Sequence, residues 1–192
     1  MIPGETINLR AVERNDVPLL HRWFNDPVLM DGWGWSAPVR SIQHVAGQVE
    51  DWLSRETAVD RPEALIAESL AGEPVGLIVV HDERPEARSV ELSLLVDAGH
   101  WGQGFGMDMM LTILEVCFGG WGVHRIGVRV EAGNEHALAL YRRLGFKEEG
   151  RLRQAAFRDG RHEDVLLFGQ LAAEWSARED RARLLRITEQ GR

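Results

Sequence analysis

The feature that most constrains this chain is a glycine-rich loop between an apolar strand and an apolar helix. Residues 94–96 are apolar, the loop at 97–106 contains four glycines, and a second apolar segment begins at Met107. Because glycine has no side chain, the backbone N–H groups of such a loop stay accessible, and they lie at the positive end of the helix dipole. A strand-to-helix turn of this kind binds anions. We therefore expect the loop to hold a pyrophosphate.

Length and composition predict a single domain. The chain has 192 residues, of which 44% are hydrophobic, and a chain of this size forms one core. We expect one domain over residues 1–192, with its core at 7–175 and a charged helical tail at 171–187. No apolar run approaches the roughly 20 residues of a membrane-spanning helix, and the first residues do not resemble a signal peptide.

Cysteine content and charge narrow the expected location and partners. Cys117 is the only cysteine, so the chain forms no internal disulfide, and a cytoplasmic protein without membrane contact is expected. The net charge of −8 argues against a nucleic-acid-binding protein, which would need a basic face. The same charge suits a cationic acceptor or simply solubility, and both interpretations stay open.

Hydrophobic periodicity divides the chain into strands and helices. The predicted elements of the first half are a strand at 7–10, a helix from 15–16 to about 27, a helix at 42–53, and strands at 64–68, 75–80 and 89–96. Those of the second half are a helix at 107–118, a strand at 125–130, a helix at 134–144, and strands at 147–157 and 162–170. Residues 30–38 are predicted to be irregular. Short turns indicate an antiparallel meander before the loop, and the helical crossover after it makes the flanking strands parallel.

Two motifs in the right order and spacing narrow the function. The loop carries Trp101, Gly102, Gln103, Gly104, Phe105 and Gly106, and a later helix carries Asn134, Ala137, Tyr141, Gly145 and Phe146. Together they resemble the GNAT superfamily of coenzyme A-dependent N-acyltransferases, whose signature is a Q/R-x-x-G-x-G/A loop followed by N-x-x-A-x-x-x-Y-x-x-x-G-F. The resemblance implies an α/β (α+β) fold with a central mixed, mostly antiparallel six- to seven-stranded sheet, a splayed parallel pair and flanking helices.

One position departs from the superfamily pattern. Trp101 stands where Gln or Arg is usual, and this is similar to the RimJ/RimL-like branch, which acetylates the N-termini of ribosomal proteins. The segment 146–153, with Asp159, Gly160 and Asp164, is similar to the same branch. Spermidine N-acetyltransferases share much of this C-terminal pattern, so they are the alternative.

The resemblance implies acetyl-CoA as cofactor and assigns residues to it. The backbone of Leu94, Leu95 and Val96 would pair with the pantetheine amides. The amides that would surround the pyrophosphate are those of Trp101, Gly102, Gln103, Gly104, Phe105 and Gly106. Further cofactor-binding residues would be Asn134, which also suits a plain helix cap, Ala137, and Arg143, for which a solvated surface position is the alternative.

The chemistry implied by the resemblance needs an acid and a base. An amine attacks a thioester and coenzyme A leaves as a thiolate, which an acid near the sulfur assists. Tyr141 would be that acid, because a tyrosine with an ordinary pKa stays protonated at neutral pH. Glu91 is the candidate base, and Ser93 on the same face of its strand would hold a water. A surface carboxylate is the alternative for Glu91, and His100 and His162 are weaker candidates.

Covalent and metal-dependent routes are not expected. Cys117 lies among apolar residues of a helix, so we expect a core residue rather than an acylated nucleophile, and direct transfer in a ternary complex. No metal site is predicted. A non-catalytic coenzyme A-binding regulatory module is the alternative outside catalysis, although Tyr141 and Glu91 argue against it. A dinucleotide-binding oxidoreductase is set aside, because its glycine turn follows the first strand, whereas this loop follows a meander.

The acceptor site is expected between the loop after the first helix and the final hairpin. Its candidate residues are Asp26, Asp31, Trp33, Trp35, Phe157 and Asp159. An acidic, aromatic-walled pocket of this kind suits a cation. It would serve a peptide or protein N-terminus, a polyamine or an aminoglycoside equally well, and another donor such as succinyl-CoA stays open. A second copy of the chain is a further partner left open.

Overall fold

A computed structural model describes residues 1–32, 39–55, 61–158 and 160–178. The strands in this part of the chain are β1 (Ile2–Pro3), β2 (Ile7–Ala11), β3 (Ala64–Ser69), β4 (Pro74–Arg84), β5 (Ser89–Val96), β6 (Arg125–Glu131), β7 (Lys147–Arg158) and β8 (Arg161–Leu171). The helices are α1 (Val17–Phe24), α2 (Pro27–Gly32), α3 (Ile42–Arg55), α4 (Phe105–Glu115), α5 (Glu135–Arg143) and α6 (Ala172–Ser176). None of these helices is long and apolar enough to cross a bilayer.

The described strands form one sheet in the order β1-β2-β3-β4-β5-β6-β8-β7. Neighbouring strands are antiparallel except β5 and β6, which are parallel. This confirms the α/β fold, the meander and the crossover predicted from the sequence. Within the described residues the sheet has eight strands rather than six or seven. The additional strand is β1, which is only two residues long and too short to give an alternating pattern.

The parallel pair is joined over a very short length. Residues of β5 and β6 pair only at Ser89–Arg125, Val90–Ile126 and Glu91–Gly127. Beyond this point β6 continues along β8 up to Glu131, whereas β5 continues along β4 up to Val96. The edge of β5 that faces β6 therefore has no strand partner beyond Glu91 within the described residues, and a gap opens in the middle of the sheet.

A hydrophobic core lies on each face of the sheet. The core that includes α4, α5 and α6 packs on Leu92, Ile126 and Val128, and the core that includes α1, α2 and α3 packs on Leu77 and Val79. Because side chains alternate along a strand, Glu91 and Ser93 point to the face of α1–α3, opposite to Leu92. The sheet thus separates two layers.

Several predicted boundaries differ from the structure. The segment 30–38 is predicted to be irregular, but α2 extends through Gly32, since Asp26 accepts hydrogen bonds from the amides of Val28 (2.8 Å) and Leu29 (3.3 Å) and Pro27 suits the first helical position. Helix α4 begins before Met107 and ends in a π-helical turn at 116–120. In the tail, α6 covers only 172–176, and residues 179–187 lie outside the described residues.

A buried carboxylate ties the start of the chain to α4. Asp108, in the first turn of α4, is 6% exposed. It accepts hydrogen bonds from the amides of Glu5 (3.0 Å), Thr6 (2.7 Å) and Ile7 (3.1 Å) and from the Thr6 hydroxyl (2.9 Å). The helix that follows the glycine loop is therefore held against β2 from its first turn.

Candidate active site

A cavity of about 510 Å³ occupies the gap between β5 and β6. Its α3 side, on the face of α1–α3, is lined by Phe24, Arg40, Gln48, Trp52, Val79, His81, Glu91 and Ser93. Its α5 side, on the opposite face, is lined by Leu92, Leu94, Asn134, Ala137, Leu140 and Tyr141. Residues of β6, β7 and β8 complete the wall: Arg129, Val130, Glu131, Ala155, Ala156, Phe157 and Val165. The cavity therefore passes through the sheet and connects its two faces.

The glycine loop has the backbone geometry of an anion site. Gly102 (φ +75°) and Gly104 (φ +88°) are left-handed, and Gly104 caps α4 without any side-chain hydrogen bond. Within the described residues, the amides of 102–106 donate no hydrogen bond to another residue. A Cβ at Gly106 would lie 3.3 Å from Val96 Cγ2, so a side chain here would crowd the end of β5. The open amides at the start of α4 fit a pyrophosphate.

Side chains of the loop itself fix its position against β5. The indole Nε1 of Trp101 donates to the Val96 carbonyl (2.8 Å), although the residue is half exposed. The side-chain amide of Gln103 donates to the Gly99 carbonyl (3.2 Å). The loop residues are not part of the cavity wall, and they lie next to it along the chain.

The backbone of β5 leads from the loop into the cavity. Leu94 lines the cavity, whereas the Leu95 side chain is buried in the core of α1–α3. The open edge of β5 beyond Glu91 offers unpaired main-chain groups to an extended ligand that carries amides, in the manner of an added strand. The main chain of Leu94 and Leu95 suits the predicted contribution, whereas the Val96 carbonyl already accepts a hydrogen bond from Trp101.

Helix α5 brings the other predicted cofactor residues to the same cavity. Asn134 and Ala137 both line it, and Asn134 Oδ1 accepts from the Ala137 amide (3.0 Å) as the helix cap. Asn134 therefore caps α5 at the cavity wall. Arg143 is exposed and outside the cavity wall, and its carbonyl accepts from Arg178 (3.1 Å).

Tyr141 lies at the wall on the α5 side. Its side chain is buried, and its ring packs edge-on against Phe146 with 5.4 Å between centroids. Burial raises the pKa of the Tyr141 hydroxyl well above its ordinary value, so this group stays protonated over the physiological range. Within the described residues the hydroxyl makes no hydrogen bond, so its proton is available to a ligand in the cavity.

A polar cluster lies on the α3 side. Glu91 forms an ion pair with Arg129 of β6 (2.8 Å), and the Glu91 side chain is 19% exposed. Ser93 Oγ forms a hydrogen bond with His81 Nε2 (3.2 Å), and His81 is the cross-strand neighbour of Glu91. Glu91 and Ser93 thus line the cavity as expected from strand alternation. Their catalytic roles remain predictions.

The structure also places residues in the wall that the sequence analysis missed. His81 is two positions after Val79 on β4, so both side chains point to the same face of the sheet. The register of β4 and β5 then places His81 opposite Glu91. Arg129 lies two residues beyond the last parallel pair. Arg40 lies between α2 and α3, and its burial gave no signal in the sequence.

The predicted acceptor residues have different positions. Phe157 lines the cavity, is 54% exposed and packs against His162 with 5.0 Å between centroids. The Asp26 carboxylate caps α2 and is not part of the wall. Asp31 lies in α2, and Trp33, Trp35 and Asp159 lie outside the described residues.

Two other candidates lie away from the cavity wall. Cys117 is fully buried in the core of α4, α5 and α6, as predicted. His100 lies between Glu73 (3.5 Å) and the Phe105 ring, beside the glycine loop. The part of the chain that the structure describes holds no group of three or more metal-ligating side chains.

Comparisons with known proteins agree with this geometry. Residues 6–147 match the family model of the acetyltransferase (GNAT) domain. A spermidine N(1)-acetyltransferase of Vibrio cholerae is 27% identical over 159 residues, which cover 83% of this chain and 89% of that protein. An aminoglycoside N(6')-acetyltransferase type 1 of Klebsiella pneumoniae is 23% identical, with 77% of each chain covered.

Solved structures show the same relationship. The Vibrio cholerae spermidine N-acetyltransferase in complex with CoA and spermine superposes with a TM-score of 0.80 at 25% identity, over 89% of this chain and 98% of that one. The relatives named here act on spermidine or aminoglycosides, and the RimJ/RimL-like branch is not among them. The family model matches most of the chain, and the structure has an anion loop beside a gap in the sheet. We conclude that this chain belongs to the GNAT family and is an acetyl-CoA-dependent N-acetyltransferase.

Proposed function

We propose that this enzyme transfers the acetyl group to a primary amine by direct attack in a ternary complex. The observation that carries the proposal is the cavity that passes through the sheet at the open edge of β5. A donor held on the α5 side and an amine held on the α3 side would meet in the same space. No acylated enzyme is required, and Cys117 is too deeply buried to serve as a nucleophile.

The donor side would hold acetyl-CoA through backbone groups more than through side chains. The amides of 102–106 would bind the pyrophosphate, the open edge of β5 would bind the pantetheine amides, and Asn134 and Ala137 would contact the same arm. Acetyl-CoA supplies the activated thioester. Arg143 is exposed, and we assign it only a long-range attraction to the phosphates.

Tyr141 would act as the acid at the leaving sulfur. Tyr141 lines the cavity, and the raised pKa of its hydroxyl keeps the proton in place until the thiolate develops. A buried tyrosine is a weak acid. In a site of low polarity, however, a hydrogen-bond donor stabilises the developing thiolate more usefully than a charged group does.

Glu91 would accept the proton of the attacking amine, directly or through a water held by Ser93. The ion pair with Arg129 fixes the carboxylate at the cavity wall. An amine with a pKa near 10.4, such as a lysine or polyamine amine, is almost fully protonated at neutral pH, so removal of this proton limits the rate without a base.

The acceptor is proposed to be a small-molecule amine. The named relatives act on such molecules, spermidine or aminoglycosides. The α-amine of a protein N-terminus is the second candidate, and Trp101 in the loop is the residue that favours it. Phe157, an exposed residue of the cavity wall, suits either class.

Three experiments test the proposal. Isothermal titration with acetyl-CoA should show binding, and no binding at millimolar ligand would contradict the cofactor assignment. Release of free thiol with polyamines, aminoglycosides and N-terminal peptides should then identify the acceptor class. Quench-flow or mass analysis that finds an acetylated enzyme without acceptor would contradict direct transfer.

A further inference from the structure

Gln170 is a buried polar residue of β8 that donates a hydrogen bond to the end of α5. It is only 1% exposed, and its Nε2 donates to the Leu144 carbonyl (2.9 Å). Within the described residues its Oε1 has no hydrogen-bond partner. A buried amide is costly wherever it is not hydrogen-bonded, so one half of this side chain opposes folding. What Gln170 contributes to the molecule is therefore its bond to Leu144.

The turn that ends α5 is bonded directly to Tyr141. The Tyr141 carbonyl accepts from the Phe146 amide (3.0 Å), and the Arg142 carbonyl accepts from the Gly145 amide (3.0 Å). Gly145 is left-handed (φ +88°), which completes a Schellman motif. The ring of Phe146 also packs edge-on against the ring of Tyr141. The main chain and the ring of Tyr141 are thus both held by the residue that follows the turn.

Two side chains from outside the helix close this turn. Gln170 donates to the Leu144 carbonyl, and Arg178 donates to the Arg143 carbonyl (3.1 Å). A Cβ at Gly145 would lie 3.3 Å from Gln170 Nε2, so this donor lies against the turn itself. The Leu144 carbonyl and the Gly145 amide belong to one planar peptide group. Gln170 therefore holds one side of this plane, while the Schellman bond holds the other.

We propose that Gln170 is a positioning residue for Tyr141 in acetyl transfer. It fixes the peptide plane at 144–145, this plane directs Phe146, and Phe146 holds Tyr141 at the cavity wall. Gln170 is not part of that wall, so it would act on neither ligand directly. A displacement of about 1 Å at a reacting group can lower a rate about 100-fold. This inference rests on the proposed acid role of Tyr141.

Gln170→Met tests the inference, because methionine has a similar length and no donor. It removes the unpaired Oε1 and leaves the Leu144 carbonyl unpaired instead, so we expect little change in the urea midpoint of unfolding. The single-turnover rate of the enzyme saturated with acetyl-CoA should fall about 10-fold, while the dissociation constant of acetyl-CoA stays the same. Gln43→Met is the matched control, since Gln43 is exposed in α3 and outside the cavity wall, and it should keep the full rate.

A double-mutant cycle assigns the loss to Tyr141. If Gln170 acts through the Tyr141 hydroxyl, Gln170→Met should lower the rate of the wild-type enzyme but cause no further loss in Tyr141→Phe. A purely structural effect would lower the rate by the same factor in both backgrounds. Arg178→Met removes the donor of the Arg143 carbonyl and should give the same pattern. If Gln170→Met does not fold, the cycle with Arg178→Met decides between the same two results.

The outcomes separate this inference from the function itself. A full rate in Gln170→Met, or equal factors in the two backgrounds, would overturn the positioning role, while acetyl-CoA binding and a slow Tyr141→Phe still support the proposed function. A full rate in Tyr141→Phe would contradict the acid role of Tyr141 and the positioning role with it. A protein that binds no acetyl-CoA would contradict the proposed function as a whole.

Discussion

Tyr141 offers the sharpest test at the scale of single residues. Tyr141→Phe removes the hydroxyl but keeps the ring against Phe146, so we expect kcat to fall about 100-fold or more while the dissociation constant of acetyl-CoA stays the same. Burial raises the pKa of Tyr141, so we expect this residue to stay protonated at every pH below about 10. Deprotonation of Tyr141 should therefore not reduce the rate in that range. A fall in kcat/KM at lower pH that disappears in Tyr141→Phe would contradict this assignment.

The ion pair of Glu91 and Arg129 gives a second prediction at this scale. Glu91→Gln keeps the size of the side chain and removes its charge, so we expect a lower rate, with the largest loss at low pH where the amine is most protonated. Arg129→Gln breaks the same ion pair but leaves the carboxylate. We therefore expect it to retain more activity than Glu91→Gln across a pH series. Equal losses in both variants, constant with pH, would mean that the pair only holds β5 to β6.

At the scale of elements, the glycine loop and α3 allow a matched comparison. Gly104 is left-handed, and Gly104→Ala should cost about 1–2 kcal/mol of stability and weaken acetyl-CoA binding, because the strained backbone would turn its amides away. Gly47 lies in α3, is exposed, and has open space around its Cβ position. Gly47→Ala should stabilise the protein by about 0.5–1 kcal/mol without affecting the ligand. Urea unfolding and titration calorimetry measure both effects, and equal effects of the two substitutions would contradict the special role of the loop.

The elements show how far the sequence could predict this molecule. Strands and helices with a clear period were found, and the two motifs placed Tyr141, Asn134 and the loop together. Arg40 was missed because its position depends on contacts of the main chain with α1, which no local pattern encodes. His81 could be placed only with the register of β4 and β5, which depends on the geometry of the turn between them as well as on the hydrophobic pattern.

At the scale of the whole molecule, Asp108 joins residues more than a hundred positions apart. Asp108→Asn turns a side-chain donor toward backbone N–H groups that need an acceptor, so we expect a loss of about 1–3 kcal/mol in the free energy of unfolding. Asp51→Asn on the exposed face of α3 is the control and should change stability by less than about 0.5 kcal/mol. Chemical denaturation measures both, and similar values for the two variants would show that the buried carboxylate does not hold the chain start in place.

The three residue pairs that join β5 to β6 have a further consequence for the molecule as a whole. In mechanical terms, the sheet consists of two hydrogen-bonded blocks, β1–β5 and β6–β8, with a narrow seam between them. We expect native-state hydrogen exchange of the ligand-free protein to show two opening units of different free energy. Saturating coenzyme A would supply hydrogen bonds to the open edge of β5. The opening free energies of the two units should then become more similar. The ligand that supplies the acetyl group would then also decide whether the sheet unfolds in one step or two.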